Sequence, residues 1–162
     1  MPRMLVAGIG NIFIGDDAFG VEVAKRLLES GVPPEVSVRD FGIRGVHLAY
    51  DLLENAYDIT VLIDATARGG EPGTVYLIEP EFGAESATAD AHSMTPDVVF
   101  ATLRAIGGNP GRVMIVGCEP ATVEEGMGLS APVEAAIDEA VKLVRELIAK
   151  EMEYVRGPSR KD

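Results

Sequence analysis

Apolar residues along this chain fall into two patterns: short unbroken runs, and stretches where they return every three or four positions. Residues 4–7 form an unbroken run closed by Gly8, which predicts a buried strand. Over residues 17–28, Val21, Ala24, Leu27 and Leu28 face one way, while Glu22, Lys25, Arg26 and Glu29 face the other. This is the signature of an amphipathic helix, stopped by Gly31, Pro33 and Pro34. Residues 36–40 alternate as a short strand. Residues 46–53 have helical spacing, with Val46, Ala49, Leu52 and Leu53 inward. The run 59–63 is the most apolar strand and ends at Asp64. Another strand, 74–78, follows the turn 69–73, and small and acidic residues then make a long loop over 79–93. Thr95 is a good N-cap and Pro96 a favoured first helical residue, so a helix is expected from there to about Ile106. Residues 113–116 read as a strand. Ser130 caps the last helix, whose stripe from Val133 through Ile137, Val141 and Val144 to Ile148 is the clearest helical period in the chain. One domain is expected over 1–150, with a charged, frayed tail over 151–162.

Strands alternating with helices imply a mostly parallel sheet covered on both faces, a three-layer α/β/α sandwich. In such sheets ligands bind beyond the carboxyl ends of the strands. The residues expected at that edge are Gly8, Gly10 and Asn11, then Asp16 and Asp17, then Asp40 and Asp64. His92 precedes the Thr95 helix, and a crossover would return it to the same edge. The other histidine, His47, shares the polar side of its helix with Tyr50, Asp51 and Glu54, and reads as surface.

Composition narrows the partners. The 162 residues are 47% hydrophobic, enough for one globular domain. Lys and Arg number 14 against 26 Asp and Glu, a net charge of −12. That balance argues against nucleic acid and anionic membranes, whose binding rests on cationic side chains, and suits a cationic partner. A single cysteine, Cys118, rules out an internal disulfide and fits a reducing, cytoplasmic setting. The run 4–7 is too short for a signal-peptide core or a membrane span.

A glycine turn feeding a helix usually receives phosphate. Here a dinucleotide fingerprint fails at its third glycine, where Phe13 stands, and Asp16 and Asp17 would repel a pyrophosphate. A nucleotide-binding oxidoreductase rests only on Gly8, Gly10 and an Asp40 placed like a ribose-binding acid. The turn is better suited to a cation. Asp16 is placed to cap the helix, which leaves Asp17 to point at the sheet edge. Asp17, Asp64 and His92 together offer two carboxylates and an imidazole, a donor set for a divalent transition ion with open positions. Taken singly, each also has an ordinary role: a first-turn acid, a strand-end acid, a loop histidine. A cysteine nucleophile would set His92 against Cys118, without a local signature to support it. Asp40-Phe41-Gly42 matches a kinase tripeptide but lacks the other kinase motifs.

Six motifs occur in order: Gly8-Ile-Gly10-Asn11, Gly15-Asp16-Asp17-Ala-Phe-Gly20, Ile63-Asp64-Ala65, the His92 loop, Gly117-Cys118-Glu119-Pro120 and Leu129-Ser130-Ala131-Pro132. Over nearly the whole chain this resembles the hydrogenase maturation proteases, which remove a C-terminal extension from the large subunit of nickel–iron hydrogenases. The resemblance implies a sheet of about five strands, with 74–78 antiparallel. It implies Asp17, Asp64 and His92 as catalytic, metal-contacting residues, with nickel already seated in the precursor as the recognition signal and no nucleotide. The ion would polarise the scissile carbonyl or acidify a bound water, with Asp17 or Asp40 as general base. Many relatives carry Asp-Gly-Gly-Thr after the second strand; here Asp40-Phe41-Gly42-Ile43-Arg44-Gly45 is bulkier and gains a cation. Asp40, Gly42, Arg44 and Gly45 are accordingly expected to touch the client, with Arg44 tuning its choice. A non-catalytic nickel or precursor chaperone would use the same three ligands.

Overall fold

The computed structural model describes residues 3–43, 45–55, 57–79, 96–109 and 111–156. Five strands form one sheet: β1 (Met4–Ile9), β2 (Val36–Gly42), β3 (Ile59–Ala65), β4 (Val75–Ile78) and β5 (Arg112–Cys118), in the order β2-β1-β3-β5-β4. All neighbours are parallel except β4, which runs antiparallel to β5. Among the described residues, four α-helices complete the layers: α1 (Phe19–Ser30), α2 (Gly45–Glu54), α3 (Pro96–Ala105) and α4 (Ala131–Arg156).

The alternation within β1 separates the two cores. Met4 and Val6 join Val23 and Leu27 of α1 and Ile137 and Val144 of α4. Leu5, Ala7 and Ile9 join Leu48 of α2 and Phe100 and Leu103 of α3. Successive strand side chains point to opposite faces, so an unbroken apolar run is what a strand with helices on both sides needs. Each fully buried Val, Leu or Ile contributes about 1.5–3 kcal/mol.

Several sequence expectations shift. Leu28 and Leu53 are exposed, and Val23 and Leu48 take the inward places. Asp51 is buried rather than on a solvated face. It accepts from Arg39 Nη1 (2.6 Å), Asn55 Nδ2 (2.8 Å) and Tyr57 Oη (2.9 Å); burial and this carboxylate push the Tyr57 hydroxyl up to about 12. His47 is exposed, as expected. The last helix does not fray at Lys150. It continues to Arg156, with Glu151 and Met152 buried and Glu151 paired with Arg112, which also meets Glu79 at 3.2 Å. The buried ion pair gives the polar stretch a reason to stay helical.

The chain leaves β1 for β2 on one side and returns to β3 on the other. This reversal makes the carboxyl ends of β1 and β3 the topological switch point, the place where open α/β sheets put their ligands.

Candidate active site at the ends of β1 and β3

The glycine turn is filled by protein. A Cβ on Gly20 would lie 2.0 Å from the Ile63 carbonyl oxygen and 2.5 Å from that of Ile9. Helix α1 therefore starts directly on the ends of β1 and β3, and only glycine permits that approach. Gly10, at φ +143°, has the Asp17 carbonyl where its Cβ would be, 1.9 Å away. The Gly-x-Gly pattern thus serves helix-to-strand contact.

The same contact positions the acids. Residues Gly15–Ala18 form a 3-10 turn before α1, and the two adjacent aspartates point to different neighbours. Asp17, half-buried, accepts the Asn11 N–H at Oδ2 (2.9 Å). Asn11 in turn closes its own turn, accepting the Phe13 N–H at Oδ1 (2.8 Å). Asp64 sits near the end of β3, in register with Gly117 of β5. Burial, and then the charge of Asp17, raise its carboxyl well above the usual carboxylate range, against the Ala65 N–H that lowers it. Asp17 and Asp64 are therefore an interacting carboxylate pair at the switch point, and a divalent cation would relieve both causes of that shift.

His92 and Arg44 lie outside the described residues, as do Thr95 and most of the expected 79–93 loop. Among the described residues, no three His, Cys, Asp or Glu side chains are grouped to hold a metal ion; the two aspartates are the part of the expected trio that is described. Asp40 is exposed at the end of β2 and accepts the Gly42 N–H at Oδ1 (2.8 Å). The Gly42 carbonyl accepts from Gly10 N–H (2.9 Å), so the loop opening α2 at Gly45 is tied to the glycine turn.

Asp16 does not cap its own helix. It is fully buried and collects the N–H groups of Ala121 (2.7 Å), Thr122 (3.0 Å) and Ser130 (2.7 Å), and the Ser130 hydroxyl (2.8 Å). Burial works against its charge, but Ser130, Thr122 and Ala121 hold it below the usual carboxylate range. Ser130, in the position before α4, donates its hydroxyl to Asp16, and the acid expected to cap α1 fastens the segment before α4.

Glu119 was not singled out by the sequence. It is buried and accepts from Tyr76 Oη (2.6 Å), Arg68 N–H (2.8 Å) and Gly70 N–H (3.1 Å), shaping the turn that follows Asp64. These bonds, Tyr76 first, lower its pKa. Its signal was an acid just beyond an apolar strand, the same signal that marked Asp40 and Asp64. Cys118 beside it is buried, and burial with the charges of Asp16, Glu119 and Glu139 pushes its thiol up to about 11. A protonated, enclosed thiol is a poor nucleophile. Cys118→Ala is expected to keep full activity at a cost of about 1 kcal/mol, and the native thiol to resist a soluble disulfide reagent until denaturant is added. Prompt labelling of the folded chain would contradict this.

Fold and carboxylate pair together define a class: an α/β/α sandwich with paired acids at the β1/β3 switch point. A profile of the hydrogenase maturation proteases matches residues 21–147. The HupD hydrogenase expression/formation protein of Rhizobium leguminosarum is 34% identical, over 89% of this chain and 75% of its own. The hydrogenase 2 maturation protease of Escherichia coli is 31% identical over 88% of each chain. The solved structure of the hydrogenase maturating endopeptidase HybD from E. coli superposes with a TM-score of 0.78 at 30% identity, covering 92% of this chain and 93% of that one. The chain belongs to the hydrogenase maturation protease family.

Proposed function

We propose that this chain is an endopeptidase that removes the C-terminal extension of a nickel–iron hydrogenase large-subunit precursor, with nickel carried by that precursor as the signal for cutting. The observation that supports it most is the Asp17–Asp64 pair, an electrostatic arrangement that is costly when empty and suited to a cation brought by the substrate. Asp17 and Asp64, with His92, lend their donor atoms to the ion. Held there, the ion would supply Lewis acidity, either polarising the scissile carbonyl or lowering the pKa of the attacking water. A carboxylate at this edge takes the water proton as the C–O bond forms. The C–N bond then breaks and the proton passes to the leaving amine. Asp40, Gly42, Arg44 and Gly45 contact the client beside the cut. The reaction belongs in a reducing cytoplasm, in keeping with one buried free thiol; among the described residues no helix is long and apolar enough to cross a membrane.

The test is the mass of the large subunit before and after incubation, with nickel-loaded and nickel-free precursor. Loss of the C-terminal peptide from the loaded form alone is expected. Asp17→Ala, Asp64→Ala and His92→Ala should each lower the rate at least about a thousandfold. An unchanged mass with the wild-type chain would make it a chaperone.

A further inference from the structure

The edge that carries the carboxylate pair also leaves apolar side chains in water. Phe13, Val123 and Met127 are 58%, 55% and 72% exposed. They lie on two segments joined by backbone bonds, the Gly126 N–H to the Phe13 carbonyl (2.8 Å) and the Gly15 N–H to the Gly126 carbonyl (2.9 Å). Scattered exposed apolar residues are ordinary; these three stand on segments fastened to each other, and Met127 also lines a cleft. Beside it a cleft of ≈ 410 Å³ opens against α1, with Ile12, Val21 and Met127 among its apolar lining. That volume is at the small end of ligand sites, about 300–1,000 Å³, and has room for a few side chains.

Charge selects the occupant. Glu22, Asp40 and Glu134 line the cleft against a single cation, Lys25. Three carboxylates around an apolar lining favour a chain that brings an apolar group and a positive one together. Ala18, which follows Asp17 in the chain, also lines the cleft.

We propose that this cleft docks an extended segment of the client polypeptide, an apolar side chain entering between Ile12 and Met127 and an adjacent lysine or arginine meeting Glu22, Asp40 and Glu134. This rests on the protease reading and adds to it a second anchor, separate from the ion. The apolar contact supplies affinity, and the charges supply orientation and register.

Fluorescein-labelled peptides tiling a nickel–iron hydrogenase large-subunit precursor provide the binding probe, read by anisotropy. Release of the C-terminal peptide from the nickel-loaded precursor gives KM and kcat. Peptides with an apolar residue beside lysine or arginine should bind, and more weakly as salt rises. Met127→Asp, and separately Glu22→Lys with Glu134→Lys, should each weaken binding about tenfold and raise KM about tenfold with kcat within about twofold. The charge-reversed variant should also lose the preference for basic peptides. These positions are outside the catalytic pair, and thermal midpoints near wild type confirm folding; should one variant fail to fold, the other carries the test. Absence of peptide binding by the wild-type chain would overturn the docking site. So would wild-type binding by both variants, or variants that alter only self-association in sedimentation. Cleft-dependent binding without any peptide release would uphold the docking site and refute the protease. Peptide release with unchanged KM in both variants would do the reverse.

Discussion

Asp64→Asn is expected to end peptide release and at the same time to raise the melting temperature at neutral pH. Asp64 is half-buried near the end of β3, and burial and the Asp17 charge hold its carboxyl well above the usual range. The folded chain therefore keeps that proton to higher pH than the unfolded chain does. The sign follows from linkage: stability is full below the ordinary carboxylate pKa and is lost as pH rises through the folded value. Asparagine nearly preserves the shape and removes the charge. The variant should melt about 3 °C higher than wild type at pH 7, and level with it near pH 4. Melting curves at the two pH values, beside the mass of the large subunit, check both halves. A variant that processes normally, or melts lower at both pH values, would end the idea that Asp64 is held in an unfavourable state for the sake of the reaction.

Asp16→Ala should do the opposite, destabilising by about 3 kcal/mol or more. Removing this one carboxylate leaves the N–H groups of Ala121, Thr122 and Ser130 and the Ser130 hydroxyl without their acceptor, and stranded buried donors cost about 1–3 kcal/mol each where water cannot reach them. The 3-10 turn that carries Asp17 would lose its fastening to the segment before α4, so peptide release should fall as well. The pH signature separates this from generic damage. The Asp16 pKa is depressed, because its hydrogen bonds outweigh burial. Its contribution is therefore complete above the ordinary carboxylate pKa and is lost as pH falls through the folded value. Urea midpoints should show the gap between wild type and variant at pH 7, narrowing toward pH 3. A gap of equal size at both would mean that the carboxylate charge is not what holds the loop.

The two predictions turn on adjacent aspartates with opposite effects: Asp16, satisfied by its hydrogen bonds, and Asp17, whose charge burdens Asp64. The sequence distinguished the pair by position alone, assigning Asp16 to its own helix start. It was right that Asp16 is structural and wrong about the partner, because its partners lie more than a hundred residues away. Leu28 and Leu53 show the same limit within helices. Both fit an apolar stripe, but each helix is rolled so that Val23 and Leu48 meet the sheet instead. Periodicity gives the width of a stripe, and packing decides which residue lies at its centre. The helix beyond Lys150 was illegible for a related reason: Glu151 is buried against Arg112, a residue of β5.

By itself the sequence determined the layering: which segments are strands, which are helices, and that both faces of the sheet are covered. Those properties follow from local hydrophobic spacing, which acts residue by residue along the chain. It also marked the acids at the strand ends, since a charge closing an apolar run must leave the core. Only the tertiary structure decided that the Asp17 charge bears on a partly buried Asp64 while Asp16 and Glu119 turn inward to hold loops. Those roles are set by what stands a few ångströms away in space, and close approach between distant segments, such as Gly20 against β1 and β3, leaves no periodic trace in the chain.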